Sequence, residues 1–174
     1  LMKAAEIGRI EMVELLLSKG ADLKVADQGG TTALMWAVST GNAEIMRKLL
    51  DAGADVNARR EGGSTALNWA ASQGYPEVAR LLIQYGVDVN STNELGRTPL
   101  MEASGRGHLE FAEVLLEHGA QLDGKDETGE SALLKAAREG RTKVVELLLR
   151  KGAAPEPRAV RWAAANGRSD VVTI

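Results

Sequence analysis

Between Thr98 and Gly119 apolar and polar residues alternate in the rhythm of two short helices. Thr98 offers a hydroxyl to a first-turn amide, and Pro99 takes the first helical position, where its missing N–H loses no bond, so a helix is predicted to start there. Leu100, Ala103 and Ser104 carry it to Gly107, which is free to adopt the left-handed conformation that ends helices. A second helix is predicted from the run His108-Leu109-Glu110-Phe111-Ala112-Glu113-Val114-Leu115-Leu116, whose apolar residues recur at helical spacing before Gly119 stops it. Its early Glu complements the helix dipole. From Ala120 to Glu130 the chain is polar and rich in turn formers, which predicts an extended, hairpin-like finger. Neither helix buries its apolar face alone.

The same unit recurs at a fixed step. Gly20, Gly53, Gly86, Gly119 and Gly152 lie 33 residues apart. Two further series, Gly8, Gly41, Gly74, Gly107, Gly140 and Gly30, Gly63, Gly96, Gly129, keep that step. Thr32, Thr65, Thr98 and Ser131 repeat as caps, each followed at the second position by Leu34, Leu67, Leu100 or Leu133. Small residues at Ala37, Ala70, Ala103 and Ala136 let neighbouring units approach closely. The register divides the chain into a partial repeat at 1–26, repeats at 27–59, 60–92, 93–125 and 126–154, and a partial repeat at 155–174 with a shortened finger. Leu1 aligns with Leu34 and Ile174 falls inside a second helix, which predicts an array continuing beyond both ends. The row Trp36, Trp69, Glu102, Lys135 reaches Arg168 next, yet a Trp-Ala pair stands six residues earlier, at Trp162-Ala163. The truncated finger Ala153-Ala154-Pro155-Glu156-Pro157 accounts for that shift.

Three segments carry a family resemblance: Gly-Gly-Thr-Thr-Ala-Leu-Met-Trp-Ala from Gly29 to Ala37, Gly-Arg-Thr-Pro-Leu-Met-Glu-Ala from Gly96 to Ala103, and Gly-Ala-Asp-Val-Asn-Ala from Gly53 to Ala58. They closely resemble ankyrin repeats, over nearly the whole chain. The resemblance implies an all-α solenoid of stacked helix-turn-helix units with hairpin-like fingers, and a protein-binding surface lined by finger tips and the exposed side of the first helices. One departure stands out: the His usual after Thr-Pro-Leu is replaced by Met35, Asn68, Met101 and Leu134, so its hydrogen bonds are lost or remade. The resemblance also marks Asn57 and Asn90 as candidate sites for asparaginyl hydroxylation, with their role as turn residues as the alternative.

Composition narrows the function classes. Hydrophobic residues make up 44% and charged residues 26%, ordinary globular usage, while the aromatic fraction of 3% assigns the core to Leu, Val and Ala. A net charge of −3 gives the whole chain no general affinity for nucleic acid or anionic membrane. The span from Arg138 to Arg168 is locally basic, but Lys143, Arg150 and Lys151 fall on the outer helix or its end and no aromatics interleave them. With no cysteine, disulfides, thiolate zinc sites and cysteine nucleophiles are excluded, and an intracellular setting, cytoplasmic or nuclear, is expected. No run has the length of a membrane span. His108 and His118 lack partners at ligand spacing, so neither a metal nor a catalytic role is expected. Gly105-Arg106-Gly107 follows a helix and lacks the further Gly and Lys of a phosphate loop. No enzyme activity, cofactor or small-molecule substrate is expected.

Because the periodic apolar positions are consumed by the core, function is expected where the register varies. Those positions give Trp36 and Thr40, Trp69 and Gln73, Arg97, Glu102 and Arg106, Lys135 and Arg138, and Trp162 as candidate partner-binding residues. Packed helices set Trp36 and Trp69 roughly 10 Å apart as a two-ring platform. Beyond them the row turns charged. The expected ligand is a protein or peptide with an apolar part over the two Trp and an acidic part toward Arg106, Lys135 and Arg138. The chain is expected to be the recruiting segment of a larger protein; the alternative is a spacer in a longer solenoid with no ligand of its own.

Overall fold

The computed structural model describes residues 1–165 of the 174, so Arg168 and the end of the last partial repeat lie outside the described residues. It is built from helix pairs. In chain order these are α1 (Met2–Glu6) and α2 (Ile10–Ser18), α3 (Ala33–Ser39) and α4 (Ala43–Asp51), α5 (Ala66–Gln73) and α6 (Pro76–Gln84), α7 (Pro99–Arg106) and α8 (Leu109–Glu117), α9 (Ala132–Arg138) and α10 (Thr142–Arg150), then α11 (Pro157–Ala165). No strand longer than a single bridge pair occurs among the described residues; that pair joins Ala26 to Thr32.

All four expected caps form. Met35 N donates to Thr32 Oγ1 at 3.4 Å, Asn68 N to Thr65 Oγ1 at 3.4 Å, Met101 N to Thr98 Oγ1 at 3.2 Å and Leu134 N to Ser131 Oγ at 3.1 Å. Of Met35, Asn68, Met101 and Leu134, Asn68 is the one that makes polar contacts with its cap: its Oδ1 accepts from Thr65 N at 3.0 Å and Thr65 Oγ1 at 2.9 Å, closing a capping box. Met35, Met101 and Leu134 instead bury apolar side chains there. The three glycine series have one physical cause, since every member has positive φ and no other residue type among the described residues does. Two of them also permit close approach: a Cβ on Gly30 would lie 3.0 Å from Arg60 Cα, and one on Gly96 would lie 3.2 Å from Glu127 N.

The chain divides into two compact units, Leu1–Asp88 and Val89–Ile174. In the first, the first helices α1, α3 and α5 stack in order and the second helices α2, α4 and α6 stack beside them. Ile45, Met46, Leu49, Leu67 and Leu82 are fully buried between the rows. The second unit repeats the plan, with α9 between α7 and α11 and with α8 against α10, around Phe111, Leu115, Leu134 and Leu148. Asn side chains staple consecutive repeats. Asn57 Oδ1 accepts from Asp88 N at 2.9 Å, and Asn90 Oδ1 accepts from Gln121 N at 2.9 Å. In the shortened last finger Glu156 receives a short hydrogen bond from Ser131 Oγ, tying it to the cap of α9.

Candidate functional site

Each finger is a tight four-residue reversal whose base residue controls its amides. Asp27 Oδ1 accepts from Gly29 N and Thr31 N, both at 2.9 Å. Asn93 Oδ1 accepts from Leu95 N and Arg97 N, both at 3.0 Å, and Asp126 Oδ1 from Thr128 N and Glu130 N, both at 3.0 Å. This is the Asx turn, in which a short side chain takes over the acceptor role of the backbone. The second finger in chain order differs, because Arg60 stands at the same register position and its side chain offers only donors. That finger keeps its backbone bonds, Arg60 N to Ser64 O at 3.0 Å and Gly63 N to Arg60 O at 2.9 Å, with Gly62 at φ 79° as well as Gly63.

The finger base also faces the first variable residue of the helix that follows. In the first unit these helix residues are Trp36 and Trp69, whose ring centroids are 5.9 Å apart at 56°. The rings are tilted, at a separation within the favourable range for aromatic pairs, so the expected open platform is a closely spaced tilted pair. Both indoles are half-buried. The amide of Thr31 leads in holding the Asp27 carboxyl below its usual value against desolvation, with the Gly29 amide and the Thr31 and Trp36 side chains adding to it. Over Trp69 lies the guanidinium of Arg60, its Cζ 5.1 Å from the ring centroid, within cation–π range. Arg60 Nε is buried without a hydrogen bond, and among the described residues Arg60 forms no ion pair. Thr40 and Gln73 sit at the ends of α3 and α5, where Thr40 Oγ1 donates to Ala37 O at 3.0 Å and the Gln73 amide is exposed.

In the second unit the same positions close on themselves. Lys135 Nζ lies 2.7 Å from Asp126 Oδ2 and 2.9 Å from Glu130 Oε2, and its side chain is only 6% exposed. The expectation of an open Lys135 is therefore corrected: two carboxylates of its own finger draw the ammonium inward. Arg138 Nη1 takes both Glu130 oxygens at 2.6 and 2.8 Å, and its Nε takes Glu139 at 3.1 Å. Arg97 reaches Asp126 at 3.5 Å and Glu102 at 3.6 Å. Burial pulls the Asp126 and Glu130 carboxyls upward, but the Lys135 ammonium and further hydrogen bonds outweigh it and hold both below the usual carboxylate range. Three cations thus meet four carboxylates, which leaves no positive excess for an acidic ligand at Lys135 or Arg138. Arg106 stays exposed at the end of α7. Trp162, on α11, is 43% exposed beside Arg158 and Arg161.

Sequence reasoning missed Arg60, and a signal was present: it interrupts the row Asp27, Asn93, Asp126 in a chain otherwise strict in register. It also missed Asp126 and Glu130 as the partners that bury Lys135. Among the described residues no cluster of three His, Cys, Asp or Glu is placed to hold a metal ion, and no helix is long and apolar enough to cross a membrane. His118 Nδ1 contacts Val114 O at 2.7 Å. A search of curated proteins finds no match to the chain. A family model described as ankyrin repeats in three copies matches residues 1–93 and again 85–159.

Proposed function

The chain belongs to the ankyrin-repeat family, whose repeats are generally protein–protein interaction modules, and from that premise we propose that it binds a partner protein or peptide on the finger side of its first unit. The observation that carries this reading is the contacting pair Trp36 and Trp69 with an uncompensated Arg60 above it. Trp and Arg are the side chains that most often dominate binding energy, because each covers much area while losing little rotamer freedom. Thr40 and Gln73 border that face. In the second unit Arg106 and Trp162 are exposed, and Arg97, Glu102, Lys135 and Arg138 are engaged with one another or with finger carboxylates. The chain serves in this reading as a recruiting segment of a larger protein. The alternative, a spacer without its own ligand, is favoured for the second unit by its closed ion network.

Peptides selected from a displayed library of random dodecamers provide the test. Trp69→Ala, assayed well below its melting temperature, is expected to weaken the selected peptides by about tenfold or more. Peptides that bind the Trp69→Ala protein undiminished, while its melting temperature falls, assign the two indoles to scaffold packing and overturn the reading.

A further inference from the structure

Three of the four fingers carry an acceptor at their base, and Arg60 replaces it with a donor. The consequence is local and unbalanced. The amides of Gly62 and Ser64 are the register counterparts of those of Gly29 and Thr31, but Gly62 at φ 79° departs from Gly29, which has no positive φ, and among the described residues no side chain accepts from either amide. Arg60 turns onto Trp69 with its Nε buried and unbonded. A charged group partly removed from water and left unpaired is unfavourable, and one carboxylate is the group that matches a guanidinium best, through two parallel N–H bonds. Asp27 shows the same fold position with the carboxylate built in, and Asp126 shows it with a carboxylate and its ammonium both built in.

We infer that the Arg60 finger is a receptor for a carboxylate side chain of the partner: an Asp or Glu pairs with the Arg60 guanidinium while an apolar neighbour of that residue lies on Trp69 and Trp36. This deepens the reading above and rests on it. A single carboxylate fits better than a phosphate, since one unpaired cation offers one compensating charge and Glu61, exposed beside it, repels a dianion. The indole beneath the guanidinium limits its hydration and so strengthens the ion pair relative to one in open solvent.

The same displayed dodecamer library tests this separately. The selected peptides are expected to share an Asp or Glu next to an apolar or aromatic residue. Their affinity is expected to fall by about tenfold in Arg60→Gln, further in Arg60→Asp, and in wild type with rising salt. Arg60→Asp carries a second, opposite readout. The substitution removes the buried, unbonded Arg60 Nε, so the melting temperature is expected to hold or rise while binding is lost. Peptides that need Trp69 but carry no acid, or that bind Arg60→Gln unchanged, overturn the receptor and leave the binding face standing. Peptides indifferent to Trp69 overturn both.

Discussion

The finger sides of the two units share one backbone plan and differ in which side chains complete it. In the first unit, rings occupy the helix positions Trp36 and Trp69, and the finger bases facing them are one anion, Asp27, and one cation, Arg60. In the second unit the helix positions are Glu102 and Lys135, and the facing fingers supply Arg97, Asp126 and Glu130, so charges cancel across 2.7–3.6 Å. A ring cannot neutralise its neighbour, whereas an ammonium can. That difference leaves the first surface with an unpaired cation on aromatic carbon, and turns the second into a self-contained network. In a repeat array, then, the pairing between two register positions, rather than either position alone, decides whether a face is free for a ligand.

The comparison breaks most readily at Lys135. Lys135→Met leaves Asp126 and Glu130 buried without their ammonium, and chemical denaturation is expected to show a loss of about 3 kcal/mol; a loss near zero would mean the network does not hold the finger. Acid probes the same network without mutation. Both carboxyls titrate lower in the folded than in the unfolded chain, so their contribution is complete above the unfolded values near about pH 4 and is lost as pH falls through the lower folded values. Melting followed from pH 7 to pH 3 is expected to drop only in the acid part of that range. Trp69→Ala removes a half-buried ring and is expected to cost about 2 kcal/mol by the same denaturation, less than a fully buried aromatic would. Asn68→Ala opens the capping box of α5 and is expected to cost about 1 kcal/mol. Arg106→Glu, at an exposed helix end, is expected to change stability by less than about 0.5 kcal/mol.

Much of the fold was legible because the repeat writes each backbone demand several times. Thr32, Thr65, Thr98 and Ser131 announced caps that all form, and the three glycine rows announced the repeat, with the left-handed stop expected at Gly107 found at every member of the rows. The site was legible only in part. Trp36 and Trp69 were recognisable from their shared register, but their contact distance depends on side chains leaning toward each other, which helix spacing does not encode. Lys135 looked open because the register locates its helix face, while its burial comes from Asp126 and Glu130, nine and five residues earlier, folding back over it. Arg60 was hidden by its place in a finger, where one polar residue replacing another alters no hydrophobic pattern.

On the proposed reading the first unit's finger side is open to a ligand and the second unit's is closed. Hydrogen–deuterium exchange of the protein with and without a selected peptide tests it most directly. Slowed exchange is expected over residues 60–73, covering the Arg60 finger and α5, with none over 126–138. Protection over 126–138 with residues 60–73 unchanged would contradict the account.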